Sequence, residues 1–134
     1  MRIEGVIDEC GRHARSTLTF HAADNSVARI PFPVLGERAR RLADKLAAGG
    51  LKPGQVVGLQ AQNHPDWIVW DLALAALKAV MRPYPTHHVF DPAARIVEEG
   101  LALLVSAAHA GGEGVAPLSP EAFDPAALRP AAPD

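Results

Sequence analysis

A single cysteine, Cys10, is all the chain carries, so no disulfide can close within it, and the predicted setting is reduced and cytoplasmic. Aromatic residues make up 5%, too sparse for a platform on which bases could stack. Neither sign of charge dominates: thirteen Lys and Arg face fifteen Asp and Glu, for a net charge of -2. Long-range attraction to nucleic acid or to an anionic membrane is therefore not expected. No apolar run reaches the roughly 20 residues that span a bilayer, because Lys78 and Arg82 end the longest one. MRIEGVIDE at the start lacks the apolar heart of a signal peptide.

Catalytic signatures are equally scarce. No HExxH or paired CxxC is present, and His13, His21, His64 and His109 do not stand at metal-ligand spacing from the adjacent pair His87-His88. Cys10 with nearby His13 falls in a predicted N-terminal arm, a poor frame for nucleophile and base. No serine sits in a GxSxG elbow. AGGEG (110–114) lacks the G-K-[ST] close of a phosphate loop, leads into a proline-broken phrase, and carries Glu113, which repels phosphate. The acidic residues are scattered, and spacing pairs none of them for acid-base work. No catalytic, metal or cofactor site follows from these residues.

What the sequence does hold is a one-domain globular composition, 134 residues of which 49% are hydrophobic. STLTF (16–20) and ARIPF (28–32) flank AADNS and read as a hairpin. Leu35, Ala39, Leu42, Ala43 and Leu46 then recur at helical spacing, with Glu37, Arg38, Arg41 and Lys45 outside, until Gly49-Gly50. VVGLQA (56–61) lacks alternation and predicts a strand buried on both faces of a parallel sheet. Asn63 is placed to cap a helix over about 64–79, VMRPYP is a second extended segment, and Asp91-Pro92 starts a helix ending near Gly100. LALLVS (101–106) is a third strand. The expected fold is a three-layer α/β unit: a mainly parallel sheet of three or four strands flanked by helices, plus an N-terminal hairpin. Residues 1–107 form its body, and 108–134 a Gly/Pro/Ala-rich tail, partly docked or frayed.

One helix stands out. WIVWDLALAAL (67–77) is apolar on nearly every side, with Asp71 at its middle. An unpaired buried carboxylate costs several kcal/mol, so Asp71 is expected at a rim, or bonded to Arg82 or a backbone amide, or across an interface. Trp67 and Trp70 lie three apart, on one side of the helix, and suit either a core or a partner's groove.

The stretch from Arg29 to Val80 resembles the opening of the adenylate-forming superfamily: acyl-CoA synthetases, nonribosomal adenylation domains and luciferases. FPVL (32–35), PGQVV (53–57) and NHPDW (63–67) fill the places of its helix start, its turn and the phrase before its apolar helix. Asp71-Leu72-Ala73 and PYPT (83–86) look most like the long-chain fatty acyl-CoA synthetase branch. The resemblance runs over about residues 16–106, with a looser echo through VAPLSPEAFD. It implies that Asp71 is structural and that the apolar helix packs inside a larger domain. The family's phosphate loop, adenine motif, ribose-binding aspartate and C-terminal lysine have no counterparts here, so no catalytic role carries over. Gln55 stands where the family prefers aspartate, and Val80-Met81 replaces a small glycine-alanine.

The resemblance therefore implies a non-catalytic, truncated relative acting through protein contact, as an accessory subunit or half of a split enzyme. Its partner would be a second copy in a homodimer, or an adenylate-forming or assembly-line protein. Trp67, Trp70, Asp71, Leu74, Arg82, Tyr84, His87 and Phe90 are the interface or groove candidates. The alternative is a small acyl-chain-binding domain, with its groove near Trp67, Trp70, Tyr84 and Phe90 and a polar anchor at Arg82 or His87.

Overall fold

The computed structural model describes Ile7 and residues 16–22, 24–61, 64–86, 91–106 and 114–129. Strands β1 (Thr17–His21) and β2 (Val27–Pro31) pair antiparallel as the predicted hairpin, Leu18 opposite Ile30. Asn25 takes a positive φ of 69° in the turn, and Asp24 Oδ1 accepts from the Ser26 amide at 2.9 Å.

Helix α1 (Phe32–Ala48) follows at once, with Pro33 in its first turn, where a missing N–H costs nothing. Its buried stripe is Leu35, Gly36, Ala39, Leu42, Ala43 and Leu46, the face the sequence spacing predicts. Burying Leu42 and Leu46 contributes about 1.5–3 kcal/mol each. Gly50 supplies the left-handed residue after the helix, at φ 95°.

Strand β3 (Val56–Gln60) is central. It pairs parallel with β4 (Val80–Pro83) on one side and β5 (Leu101–Ser106) on the other, and β6 (Val115–Ala116) continues past β5, giving the order β4-β3-β5-β6. Helices α1 and α2 (Pro65–Ala76) cover one face, around Val57, Leu59, Leu103 and Val105. Helix α3 (Pro92–Glu99) covers the other, where Ile96 packs on Leu101, Leu104 and Val115. That is the expected three-layer arrangement with a parallel sheet.

Two local features let both faces close. The β3–β5 register slips between Val56 and Val57, whose partners are Leu101 and Leu103. Ala102 is thus the extra residue, which is how Leu101 and Leu104 reach the same side although three apart. At Gly58 the Tyr84 ring lies against bare backbone: a Cβ there would stand 2.8 Å from Tyr84 Cε2 and 2.9 Å from Leu101 Cδ1.

Helix boundaries differ slightly from the sequence expectation. α2 is capped by His64, whose Nδ1 accepts from the Asp66 amide at 3.0 Å; Asn63 lies outside the described residues. It ends at Ala76 because Lys78 turns left-handed at φ 59°, with bonds from Lys78 N to Ala75 O at 3.1 Å and Ala79 N to Leu74 O at 3.0 Å. That paired C-terminal motif satisfies two last carbonyls. α3 starts and stops as expected: Asp91 Oδ1 accepts from Ala93 N at 3.2 Å, and Gly100 is left-handed at φ 64°. VAPL supplies β6, and residues 117–129 continue through two short 3-10 turns, Pro120–Ala122 and Pro125–Ala127.

Gly58→Ala is expected to cost about 1–3 kcal/mol through overpacking against Tyr84 and Leu101. Urea denaturation checks this, as a lower midpoint with an unchanged slope.

Candidate functional site

The apolar helix α2 is covered mainly by the chain itself. Trp70, Ala73 and Leu74 are buried with Val69, while Trp67, Ile68 and Leu72 are half-buried against the same core. The Trp70 indole N–H donates to Leu118 O at 2.7 Å, and its ring meets Phe123 edge-on at 5.5 Å. Trp70 and Leu74 are thus already occupied inside the fold. The apolar helix that the resemblance sets inside a larger domain is enclosed here, and the described residues leave no broad apolar face open. Exposed large apolar side chains are Val27, Val34, Val80 and Val97, each on a different element. Helices α1 and α2 cover one sheet face and α3 the other, and residues 114–129 add Phe123 and Leu128 to the core.

Asp71 is the exposed residue of α2's outer side, at a rim as one sequence reading had it. Arg82, its expected partner, pairs instead with Glu99 at 3.3 Å. The neighbouring apolar surface removes part of the water from the Asp71 carboxyl and pushes its pKa above the ordinary aspartate range.

Tyr84 and Arg82 lie on the α3 side of the sheet. There Glu99 accepts from the Tyr84 hydroxyl, from Arg82, and from Arg95 Nη1 at 3.2 Å, while the Arg95 guanidinium sits 5.9 Å from the Tyr84 ring centre. Trp70 is on the opposite side, so the sheet itself separates it from Tyr84, and the two do not line one groove. His87 and Phe90 fall outside the described residues, as do Cys10, His13, His88, His109 and most of AGGEG.

A second ionic centre had no local signal. Arg38 on α1 donates from Nε to Glu121 at 2.6 Å, and from Nη2 to Asp66 at 2.6 Å and Glu121 at 3.0 Å. The three residues are spread over 83 positions and belong to α1, the first turn of α2 and the first 3-10 turn. Lys45 adds bonds to the Glu121 and Phe123 carbonyls, each 3.2 Å. The Arg38 bond holds the Glu121 carboxyl below the ordinary glutamate range, and the same bond raises the pKa of Arg38.

Two shallow grooves border this centre. One, about 420 Å³, lies between the hairpin (Phe20, Val27, Ile30) and the start of α2 (His64, Asp66). The other, about 250 Å³, runs along α1 past Arg41 and Lys45 to Pro120. Among the described residues, no group of three His, Cys, Asp or Glu is assembled that could hold a metal. Nor is any described helix long and apolar enough to cross a membrane.

The two carboxylates give opposite pH signatures. Asp71 has a raised folded pKa, so its contribution falls as pH rises through the aspartate range. Glu121 has a lowered one, so its contribution is present above the ordinary glutamate pKa and is lost as pH falls. Asp71→Asn is therefore expected to stabilise the fold near neutral pH by under about 1 kcal/mol. Glu121→Gln is expected to destabilise it at neutral pH and to converge with the parent in acid. Thermal melts between about pH 3 and pH 7 read both differences.

Comparison with known proteins places this architecture. Residues 11–123 match the family model described as AMP-binding enzyme. The crotonobetaine/carnitine–CoA ligase of Proteus mirabilis is 29% identical over 62% of this chain and 16% of its own length. A linear gramicidin synthase polypeptide of Brevibacillus parabrevis is 32% identical over 54% of this chain and 1% of its own. Among solved structures, the Klebsiella oxytoca NpsA N-terminal subdomain in complex with anthranilyl-AMSN superimposes with TM-score 0.65 at 22% identity, over 86% of this chain and 30% of that one. The Legionella pneumophila fatty acid AMP ligase gives TM-score 0.65 at 19% identity, over 78% and 19%. The sequence spans less than a third of each of these relatives, which range over CoA ligases, a peptide synthetase and an AMP ligase and do not single out the fatty acyl branch. The chain belongs to the AMP-binding enzyme family, and it corresponds to the N-terminal part of that family's domain.

Proposed function

We propose that this chain acts by protein contact, as an opening lobe of an adenylate-forming body, and that it performs no adenylation by itself. The carrying observation is the contrast between its family match over residues 11–123 and its 16% share of a relative such as the crotonobetaine/carnitine–CoA ligase. A phosphate loop and a ribose-binding aspartate in a recognisable setting are missing from the sequence. The remaining machinery then comes from elsewhere, whether from further residues of the same polypeptide or from a second chain, in a cytoplasmic setting.

As an accessory subunit, the lobe would serve an acyl-CoA or acyl-AMP ligase or an assembly-line adenylation protein. Asp71-Leu72-Ala73 and PYPT (83–86) favour an acyl-CoA ligase of the fatty acyl kind. Asp71, Arg82 and half-buried Trp67 are the contact candidates that keep surface to offer, whereas Trp70 and Leu74 act through the fold. A second copy of the chain is the alternative partner.

Activity is tested by ATP–pyrophosphate exchange with fatty acids. The chain is assayed alone, and then mixed with an adenylate-forming protein that lacks the corresponding opening. Exchange in the mixture only is the expected result, and exchange by the chain alone overturns the reading. Light scattering at micromolar concentration separates a homodimer from a monomer awaiting a different partner.

A further inference from the structure

Residues 114–129 are joined to the body in an unusual way. Pro117, Pro120 and Pro125 remove amide donors from this stretch, and its own main-chain bonds are short turn bonds, such as Phe123 N to Pro120 O at 3.2 Å and Ala127 N to Asp124 O at 2.9 Å, with one bond that closes it end to end, Gly114 N to Ala127 O at 2.8 Å. Main-chain attachment is confined to its two ends. Two-residue β6 pairs with β5 and Leu104 N donates to Gly114 O at 2.7 Å, while Arg129 N donates to Ala102 O at 3.0 Å.

Between those ends the stretch is held by side chains. Glu121 is forked onto Arg38, Lys45 reaches two carbonyls, Phe123 sits against Trp70, and Leu118 O receives the Trp70 indole N–H. Leu128 and Pro125 lie against Gly49, where an added Cβ would stand 2.5 Å from Leu128 Cδ1. Beneath it are Leu42 and Trp70, both fully buried.

We propose that residues 114–129 form a latch, which opens as one unit, β6 leaving β5 while β3, β4 and β5 stay folded, and which by opening uncovers the apolar cleft between α1 and Trp70. A segment attached by few ladder bonds and by exposed ionic pins opens at lower free energy than strands buried on both faces. Opening breaks every pin together, because each grips the same short span. The chain thus carries its own cover for that cleft, and access to it is set by the latch. This inference does not depend on the proposed role in an adenylate-forming body.

Amide hydrogen exchange followed by NMR on the full chain, under conditions where exchange reports the open population, tests this. The reporters are the amides of Leu104 and Arg129 and the Trp70 indole N–H; the amides of β3 are the reference. The latch predicts one shared opening free energy for the reporters once each group's intrinsic rate is divided out, with protection at least ten-fold below that of β3. Glu121→Gln should speed the reporters about ten-fold further, and β3 by no more than that, because the Arg38 fork is lost in the open and the unfolded states alike. Equal protection of reporters and β3 in the parent chain overturns the proposal, and so does a Glu121→Gln variant whose reporters exchange no faster than the parent's.

Discussion

Burial of β3 and β5 from both sides is the constraint that the rest of the structure serves. Leu59, Leu103 and Val105 are sealed beneath α1 and α2, and Leu101 and Leu104 beneath α3. A parallel sheet tolerates no wet face, because its strands are apolar on both sides. Each cover must therefore be held in place, and the chain uses different means on the two faces. On the α3 face, one short helix is tied down by Glu99, which gathers Tyr84, Arg82 and Arg95. On the other, two helices are joined through Arg38 and closed over by residues 114–129.

The ionic contacts fix direction more than they add energy. Arg38 is half-buried, and its partner Glu121 is largely in water, so the pair contributes modestly to stability. Its value lies in joining three elements far apart in sequence at one guanidinium, whose planar fork accepts only a narrow geometry. Apolar burial supplies the bulk of the driving force. The Trp70–Phe123 contact and the Trp70 indole bond then choose where the last segment lies.

Much of this was legible in the sequence, for a common reason: periodicity and end signals are local. The spacing of Leu35 to Leu46 gave α1, Asp91-Pro92 and Gly100 bounded α3, and the non-alternating VVGLQA foretold a doubly buried strand. The end of α2 was not legible, because a lysine took the left-handed position usually marked by glycine. Nor was the Arg38–Asp66–Glu121 centre, since a charged residue on a helix's outer side carries no sign of a partner more than eighty positions away. Of the alternatives open for Asp71, the rim position is the one realised, and Arg82 pairs with Glu99 on α3, over the other face of the sheet. The tryptophan pair also divided, Trp70 going inside and Trp67 staying half-buried.

These features describe a lobe that closes most of its own core, and the proposed contact role leaves nucleotide handling to residues outside it. Calorimetric titration of the isolated, folded chain with Mg·ATP tests that account most directly. It predicts no saturable heat up to millimolar nucleotide; stoichiometric, saturable binding by this chain alone would contradict it.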